Sequence, residues 1–548
     1  MSIGAKKLTR PTRVMSFKSQ PGRLARLWDR ARSGDVVLRL GLALVTAIAL
    51  WGVTRAWAPP FAHRVDDVLT EDISVEYRED DQSDAQIIPI SAGQPLTLQQ
   101  IEMLSRDYTE SVARLPRASA LVRSLAAFGL IFGLFALCGY FMYHQDRRML
   151  KDLRRFSTLL GLTVLTCAMA RIAWPYPWRA ELVPILSFGM ICGIAYKREL
   201  ALLIATCLLI FLGLVAGYRL GEFVMLIGVT SIAILLLGRI RSRSKLMKVG
   251  LVTGAGAITL TMITRLLDGG PLSFDLWQRA FWNGGWALAA GVITTGLLPS
   301  IESIFSVLTD ISLLELGDAS HPLLQELVRR APGTYNHSIN VASIAEAAAE
   351  AIGGRRLLVR VGAYFHDIGK MLKPGYFVEN QGSEANRHDA LMPAMSTLII
   401  VAHVKDGADL ARQHHLPEPV IDFIEQHHGT TLVEYFYRRA SQQNEGKPDS
   451  AEPQEDAFRY PGPKPQTRET AVLMLADAVE SASRALVEPT PARIEGLVEE
   501  IAMKRLLDGQ FDECGLTLKQ LRIVQDSLIK SLTAVYHGRV KYPDQRTA

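Results

Sequence analysis

The chain has 548 residues, with 60 Lys and Arg against 55 Asp and Glu, and a net charge of +5. This length is too great for one domain and predicts about three or four. The mean hydropathy of +0.14 is high for a soluble enzyme, and the apolar residues are concentrated between about 36 and 306. The five cysteines form no C-x-x-C pair, which argues against a disulfide framework and a thiolate zinc site.

A basic segment, residues 1–35, precedes an apolar run over 36–54. The run is long enough to cross a bilayer as a helix, and its one charge, Arg39, lies near its start, where the side chain can snorkel. Because Ala56-Trp57-Ala58 resembles a cleavage site, a secretory signal peptide is the alternative. The long basic segment and the two prolines directly after that site favour a membrane anchor.

A polar, acid-rich region, residues 55–120, follows, with a strand-like segment at Ile73-Tyr77 and a helix-like one at Leu96-Tyr108. We interpret it as a small extracytoplasmic region. Seven further apolar segments fill residues 121–306, at roughly 121–143, 157–174, 180–196, 200–217, 221–238, 249–265 and 283–306. With the first run they predict eight spans in a 1+7 arrangement.

The charges of the loops predict the orientation of these spans. Cations fill every second loop, namely Arg147, Arg148, Lys151, Arg154 and Arg155; Lys197 and Arg198; and Arg239, Arg241, Arg243, Lys245 and Lys248. By the positive-inside rule, the N-terminus and everything after residue 306 lie in the cytoplasm, in a multi-pass protein of the plasma or inner membrane. Arg171 and Glu181 lie near an outer boundary, where they either snorkel to the interface or line a signal-binding pocket.

The remaining sequence predicts an all-α cytosolic domain over 307–543. Helical periodicity over Ile301-Leu316 predicts a stiff connector, and from His321 onward helix follows helix without a convincing alternating strand. Residues 441–456 are polar and contain proline, so we expect a disordered loop there, and residues 544–548 form a short tail. The predicted fold class is therefore all-α: a multi-span membrane bundle followed by this domain.

Two polar residues, His366 and Asp367, are embedded in the apolar run 363–370, where burial is costly unless something compensates it. Other candidates for the same site also stand in unusual settings: His337 beside a small-residue helix, His403 after the apolar run 398–401, His427 and His428 before a glycine, and Asp477 within the apolar run 472–479. By contrast, we interpret four histidines as surface residues and one as a loop-positioning residue: His321, His414, His415 and His537, and His388, respectively.

Five imidazoles and two carboxylates without a thiolate suit a dinuclear site for iron or manganese better than one for zinc. Two such metals activate water and hold it in line with a phosphorus atom, which predicts a phosphodiester substrate. Asp367 can lie between the two metals. Lys370 follows one helical turn later and would neutralise a non-bridging oxygen.

These residues resemble the HD superfamily of metal-dependent phosphohydrolases and, more narrowly, the seven-transmembrane HD family of bacterial cyclic di-AMP phosphodiesterases. The resemblance covers about 300 to 543 and rests on ordered stretches: LLEL at 313–316, APGTYNHS at 331–338, FHDIGK at 365–370, ENQ at 379–381, HVKDG at 403–407, HHGT at 427–430, FRYPGP at 458–463 and LAD at 475–477. The seven-span block agrees with it. Family members often have a larger extracytoplasmic domain than residues 55–120 provide.

The resemblance implies a role for each candidate. A first metal would be held by His337, His366, Asp367 and Asp477, and Asp367 would bridge to a second metal held by His403, His427 and His428. The catalytic residues would be Asp367 and Lys370, and the substrate contacts Lys370, Thr430 and Arg459. Cyclic di-AMP would be opened to linear 5'-pApA under the control of a membrane or extracytoplasmic signal. The bilayer is the other expected partner and DNA is not one; a homo-oligomer and a signal ligand stay open.

Two other functions compete with this one. A cyclic di-GMP phosphodiesterase of the HD-GYP kind needs a Gly-Tyr-Pro element, but the paired histidines precede Gly429-Thr430, and Gly375-Tyr376-Phe377 has Phe where Pro is required. A non-catalytic nucleotide-binding membrane receptor is of another class. Degenerate sites lose ligands, and none of the seven positions is missing here, so this alternative is disfavoured.

Overall fold

The computed structural model describes residues 34–61, 63, 71–77, 86–94, 96–145, 152–174, 180–238, 240–382, 386–444 and 453–537. Nearly all of the predicted basic segment 1–35, the cationic loop over 147–151 and the tail 544–548 lie outside these residues. The chain divides into two compact units, residues 1–238 with 246–305 and residues 239–245 with 306–548. The predicted boundary lies between residues 306 and 307.

The first unit contains the apolar helices. Six described helices are long and apolar enough to cross a membrane: α1 (Gly34–Thr54), α3 (Arg117–Gln145), α4 (Leu153–Ala173), α6 (Arg198–Ala216), α7 (Leu220–Leu237) and α8 (Arg243–Leu267). A bent pair, α9 (Phe274–Gly296) and α10 (Leu298–Phe305), makes a seventh if it is counted as one span. The predicted multi-pass membrane protein is confirmed.

The fourth predicted span, at about 180–196, corresponds to α5 (Leu182–Ala195), an apolar helix of only 14 residues. Its residues from Pro184 to Cys192 are all buried in the first unit. A helix that is apolar on every side is typical of a position enclosed by other helices. The count of eight spans is therefore approximate, because α5 is shorter than the roughly 20 residues that a bilayer requires.

The last predicted span and the connector after it differ from the prediction. The helix begins at Phe274, where the side chain of Ser273 accepts a hydrogen bond from the amide of Leu276, and it ends at Gly296 before a bend of 60°. Pro299 follows the bend and cannot donate the backbone hydrogen bond of a continuous helix. The prediction of one stiff helical connector over 301–316 is wrong, because α10 ends at Phe305 and α11 (Asp310–Leu316) is a separate helix.

A small subdomain lies between α1 and α3. The predicted strand β1 (Ile73–Tyr77) is present and pairs antiparallel with β2 (Gln86–Ile90). The predicted helix-like segment Leu96-Tyr108 corresponds to helix α2 (Leu98–Ala113), which begins with a capping box at Thr97. Buried Ile90, Leu96 and Leu104 form its core.

The second unit is all-α in the described residues, as predicted, apart from one isolated bridge between Leu432 and Arg459. Its main helices after α11 are α12 (Pro322–Arg330), α13 (Pro332–Ala351), α14 (Arg356–Phe365), α15 (Pro393–Gln413), α16 (Glu418–Gln426), α17 (Glu434–Asn444), α18 (Arg468–Ser483), α19 (Pro491–Leu507) and α20 (Leu518–His537). Within the predicted loop 441–456, the first residues are helical, residues 455–458 form a 3₁₀ turn, and 445–452 lie outside the description.

One continuous hydrophobic core joins these helices, with Val341, Phe365, Phe423 and Leu475 almost fully buried. Short helices and glycines allow the close approaches in it. A Cβ atom added to Gly369, in the 3₁₀ segment Ile368–Leu372, would lie 2.0 Å from the carbonyl oxygen of His403. The residues after α14 are thus held directly against α15.

Candidate metal centre

The seven predicted ligands come from five helices of the second unit and meet at one place. They lie in α13 (His337), directly after α14 (His366 and Asp367), in α15 (His403), directly after α16 (His427 and His428) and in α18 (Asp477). Six of the seven are buried, with exposed fractions of 0 to 6%. Three sets of three have ligand atoms within 4.8 Å of one another: His337, His366, Asp367; His366, His427, Asp477; and His403, His427, His428.

Asp367 divides its two carboxylate oxygens between two groups of imidazoles. Oδ2 lies 3.3 Å from Nε2 of His366 and 3.7 Å from Nε2 of His337. Oδ1 lies 3.3 Å from Nε2 of His403 and 3.6 Å from Nε2 of His427. A carboxylate placed in this way can contribute one oxygen to each of two cations.

Asp477 faces the first of these groups and also His428. Its Oδ1 lies 3.0 Å from Nε2 of His337 and 3.8 Å from Nε2 of His366, while Oδ2 lies 3.9 Å from Nδ1 of His428. Asp477 thus lies near imidazoles of both predicted metal positions, and the assignment of ligands to the two positions stays a prediction. His428, whose side chain is 21% exposed, lies at the edge nearest solvent.

Backbone carbonyls fix the orientation of three imidazoles. Nδ1 of His366 lies 2.7 Å from the carbonyl oxygen of Ala363, and Nδ1 of His427 lies 2.8 Å from that of Ile424. His403 makes the same contact with Ile400 at 2.5 Å. In each case Nδ1 donates its proton to the preceding helical turn, which turns Nε2, the atom that would bind a metal, toward Asp367.

A fourth imidazole is held by a carboxylate that the sequence reasoning missed. Nδ1 of His337 donates to Oε2 of Glu480 at 2.6 Å, and Oε1 of Glu480 accepts from Arg484 at 2.6 Å and from Asn340 at 3.3 Å. Glu480 follows Asp477 by three residues on the buried face of α18, so the pair of acids one turn apart was a usable signal.

The site contains buried polar atoms whose hydrogen-bonding capacity is not met by described residues. Both oxygens of Asp367 and Nε2 of His366 have no hydrogen-bond partner, although the ammonium of Lys370 forms an ion pair with Oδ2 at 2.7 Å. Such burial is costly unless a cation or donor compensates it. Divalent metals fit this set of nitrogen and oxygen donors, which is also the set expected of an HD domain.

Electrostatics favour the protonation states that bind metal at most of these positions. Burial lowers the pKa of His427 and of His428, so both are neutral imidazoles. Burial alone would raise the pKa of Asp477, but the facing imidazoles hold it low. Burial opposes a charge on His366, yet the adjacent Asp367 carboxylate outweighs it and raises the His366 pKa to about 10. A metal would displace that proton.

Lys370 lies inside the site, as predicted from its spacing. Its ammonium is 2.7 Å from Oδ2 of Asp367 and 2.9 Å from Oε1 of Glu379, and it stands 5.2 Å from the centre of the Phe377 ring. Burial disfavours the charged amine, but the carboxylates, Asp367 first, outweigh it and raise the Lys370 pKa. Glu379 is held in turn by the hydroxyl of Thr334 at 3.1 Å.

The two other predicted substrate contacts, Thr430 and Arg459, belong to one hydrogen-bond network. The Thr430 amide donates to Oε1 of Gln510 at 3.0 Å, and Gln510 donates back to the Thr430 hydroxyl at 2.9 Å. Arg459 donates to the Thr430 carbonyl at 2.8 Å and pairs with Asp508 and Glu455. This network fixes the turn after His428, so Arg459 has a positioning role here, and its contact with substrate stays a prediction.

Tyr460 and the remaining histidines complete the surroundings of the site. The Tyr460 ring stacks on His428 at 4.3 Å between centroids, a contact that sequence reasoning did not assign. His388 has the predicted loop-positioning role, with Nε2 2.8 Å from the carbonyl of Tyr376. His321 is not a surface residue, because its half-buried ring meets Phe365 edge-on at 5.2 Å. His414 and His415 are exposed, as expected, and the His537 side chain lies outside the description.

Comparison with known proteins matches both halves of the chain. Residues 121–309 match the family model described as a 7TM receptor with intracellular HD hydrolase, and residues 334–482 match that of the HD domain. The cyclic-di-AMP phosphodiesterase PgpH of Bacillus subtilis strain 168 is 33% identical over 484 residues, which cover 85% of this chain and 67% of that protein. The chain belongs to the PgpH family of seven-transmembrane HD proteins.

Another PgpH relative aligns over a shorter part of this chain. The cyclic-di-AMP phosphodiesterase PgpH of Listeria monocytogenes strain 10403S is 43% identical over 328 residues, or 59% of this chain and 44% of that protein. The crystal structure of the L. monocytogenes PgpH HD domain is 48% identical, covers 40% of this chain and 100% of that one, and has a TM-score of 0.38. The chain thus spans less than half the length of the Listeria PgpH protein.

Proposed function

We propose that this chain is a membrane-anchored, metal-dependent phosphodiesterase that hydrolyses cyclic di-AMP to linear 5'-pApA. One observation carries the proposal: the buried Asp367 carboxylate directs each of its oxygens at a separate pair of imidazoles, at 3.3 to 3.7 Å. That division is what a site for two divalent ions requires. The names of the PgpH relatives supply the substrate.

We assign the ligands as follows: His337, His366, Asp367 and Asp477 would hold one metal, and Asp367, His403, His427 and His428 the other. Iron or manganese suits these donors best. Bound there, the metals would activate water and stabilise charge on a phosphoryl group. The protein sets the geometry, since Glu480 and three backbone carbonyls orient four of the imidazoles.

Lys370 is the protein's own cation at the reacting position. Its ammonium is charged and buried and is paired with both Asp367 and Glu379. With Asp367 engaged as a metal ligand, the Lys370 ammonium would be available to a non-bridging phosphate oxygen and would stabilise the charge that develops during cleavage. Glu379 keeps the side chain pointing into the site.

The location of the site follows from the charges of the loops. We infer that the second unit (the catalytic unit, residues 239–245 and 306–548) and the N-terminus lie in the cytoplasm. Every second loop is rich in Arg and Lys, and eight spans would return the chain to the side of those loops. Cyclic dinucleotides are cytoplasmic in a bacterial cell that uses them as second messengers. A signal from the membrane or the extracytoplasmic side would then act on their concentration.

The test is hydrolysis by the full-length protein in detergent. The protein is stripped with a chelator, reloaded anaerobically with Fe(II) or Mn(II), and incubated with cyclic di-AMP or cyclic di-GMP. We expect the metal to restore conversion of cyclic di-AMP to 5'-pApA. Opening of cyclic di-GMP alone would instead establish the alternative cyclic di-GMP phosphodiesterase, and metal binding without hydrolysis of either would establish a receptor.

A further inference from the structure

A cavity of about 100 Å³ lies in the first unit (the membrane unit, residues 1–238 and 246–305), where three spans end together. Its lining includes the C-terminal residues of α1 and α6, Thr54 and Ala216, and Trp174, which directly follows α4. Part of the small subdomain, from Pro59 to Phe61 and around Tyr108, closes it. The cavity therefore stands at the predicted outer end of the bundle, far along the chain from the HD site.

Two arginines lie at this cavity. Arg55 and Arg171 both line it, and both side chains are exposed. Neither guanidinium forms an ion pair with a described residue, and none of the described lining residues is acidic.

The backbone directs one of these arginines to the cavity. Arg55 has a φ of 51°, a left-handed conformation that is unfavourable for a residue with a side chain. It directly follows α1 and turns the chain toward the prolines at 59 and 60. Strained residues of this kind cluster at binding sites, where the surrounding structure holds them in place.

Aromatic pairs form the walls of the cavity. The Tyr108 hydroxyl donates to the carbonyl of Pro59, and the Tyr108 ring lies 5.4 Å from that of Phe61. Opposite them, Trp174 and Tyr218 are 4.7 Å apart. The remaining lining is mostly small or apolar, including Cys167, Ala170, Leu212 and Val215.

The covering segment is already fixed on the bundle. A Cβ atom added to Gly217, whose φ is 68°, would lie 2.7 Å from Cβ of Pro60. The prolines thus pack directly against the turn after α6. Because contacts within the protein hold these walls, binding would require little ordering of the protein.

We propose that this cavity binds a small organic anion, whose carboxylate or phosphate group pairs with Arg55 and Arg171 and whose apolar part contacts the aromatic walls. Guanidinium groups bind both kinds of anion through paired hydrogen bonds. A cavity of about 150 Å³ holds benzene, so this one holds the anionic group and a few carbons, and a longer body extends past the exposed arginines. The anion comes either from solution or from a lipid headgroup.

The test uses the full chain in phosphatidylcholine nanodiscs and measures the binding of radiolabelled benzoate and phenyl phosphate by equilibrium dialysis. We expect saturable binding of at least one probe. Arg55→Ala and Arg171→Ala should each weaken it at least tenfold, because a charge-assisted hydrogen bond is lost. Arg171→Lys should retain part of the affinity. Arg117→Ala is the matched control, since Arg117 is exposed at the start of α3 and does not line the cavity.

Repeating the titration in phosphatidylglycerol nanodiscs distinguishes the two sources. Weaker probe binding there identifies an anionic lipid as the natural occupant, and unchanged binding identifies a soluble anion. The proposal is overturned if neither probe binds saturably in phosphatidylcholine, or if a correctly folded Arg55→Ala, Arg171→Ala double variant binds as well as the parent. No step involves hydrolysis, so the result is independent of the proposed phosphodiesterase activity.

Discussion

At the scale of single residues, Asp367 carries more of the site than any other side chain. It lies within 3.7 Å of four imidazole nitrogens and of the Lys370 ammonium. The Lys370 ammonium pairs with its Oδ2 at 2.7 Å. Replacement of Asp367 therefore affects both predicted metal positions and the partner of Lys370.

Asp367→Ala should remove both metals, because each would lose a carboxylate oxygen. His403→Ala should mainly weaken one, since the His403 imidazole faces only Oδ1 of Asp367 among the carboxylate oxygens. Inductively coupled plasma mass spectrometry on the purified full-length variants gives the metal count. Two metals retained in Asp367→Ala would show that Asp367 does not bridge.

Glu480 offers a sharper test of positioning. Glu480→Gln keeps the size of the side chain but removes the charge that faces Nδ1 of His337. Removal of such a partner commonly weakens metal binding about 10- to 100-fold, so we expect one metal to be lost at a lower chelator concentration. Glu350→Gln is the control, because Glu350 is 60% exposed and pairs only with Arg356 at the surface. Equal chelator sensitivity of parent and Glu480→Gln would contradict this role.

At the scale of elements, the site depends on how closely short segments pack. The 3₁₀ segment after His366 and Asp367 lies against α15 through Gly369, which also approaches the amide of Gly407. The contact holds Asp367 and His403 at a fixed separation. Similar close contacts join α8 and α9 in the membrane unit, where Gly250 faces Gly291 and Gly254 faces Gly284, as is common between membrane helices.

Gly369→Ala should unfold or distort the catalytic unit. Its Cβ would lie 2.0 Å from the His403 carbonyl oxygen, and overpacking of a core costs about 1 to 3 kcal/mol or more. Gly496→Ala is the opposite case. Gly496 lies in helix α19, and a Cβ atom added there would have nothing within 4 Å, so we expect the alanine to stabilise the fold by about 0.5 to 1 kcal/mol. Denaturant unfolding followed by circular dichroism compares the two, and equal midpoints would contradict the packing of the 3₁₀ segment.

Much of this site was readable from the sequence because each ligand sits in an anomalous local setting. A histidine before a small-residue helix, or Asp477 within an apolar run, is visible without tertiary structure. Glu480 was missed because its role depends on the distance to His337, which lies 143 residues earlier. The start of α9 at Phe274, before the predicted span at 283, was missed for another reason. Polar residues in the first turns of a helix lower its local hydropathy, so a hydropathy pattern places its beginning too late.

At the scale of the whole molecule, the chain consists of two units with separate cores. The catalytic unit has its own continuous set of buried residues from Leu313 to Leu532, and every predicted metal ligand lies within it. Nothing in the described site requires a residue of the membrane unit. The membrane unit would then contribute location and control to the reaction.

The fragment 306–548 should therefore fold alone, bind metal and hydrolyse cyclic di-AMP. We expect a monodisperse helical protein with a cooperative unfolding transition that chelators shift to lower temperature, because metal binds only the folded state. Calorimetry with and without chelator measures this shift. A fragment that is folded but metal-free after reloading would show that the site needs the membrane unit.

The ligand set also determines when the site can first exist. His337 contacts Asp477 and Glu480, which follow it by 140 and 143 residues. At about 5 to 20 residues per second, a ribosome needs about 7 to 28 s to make that stretch. Until it is made, His337, His366 and Asp367 lack the partners that α18 provides. A half-made chain thus has only part of the first metal position, and the predicted ligand set is complete only when α18 has been synthesised.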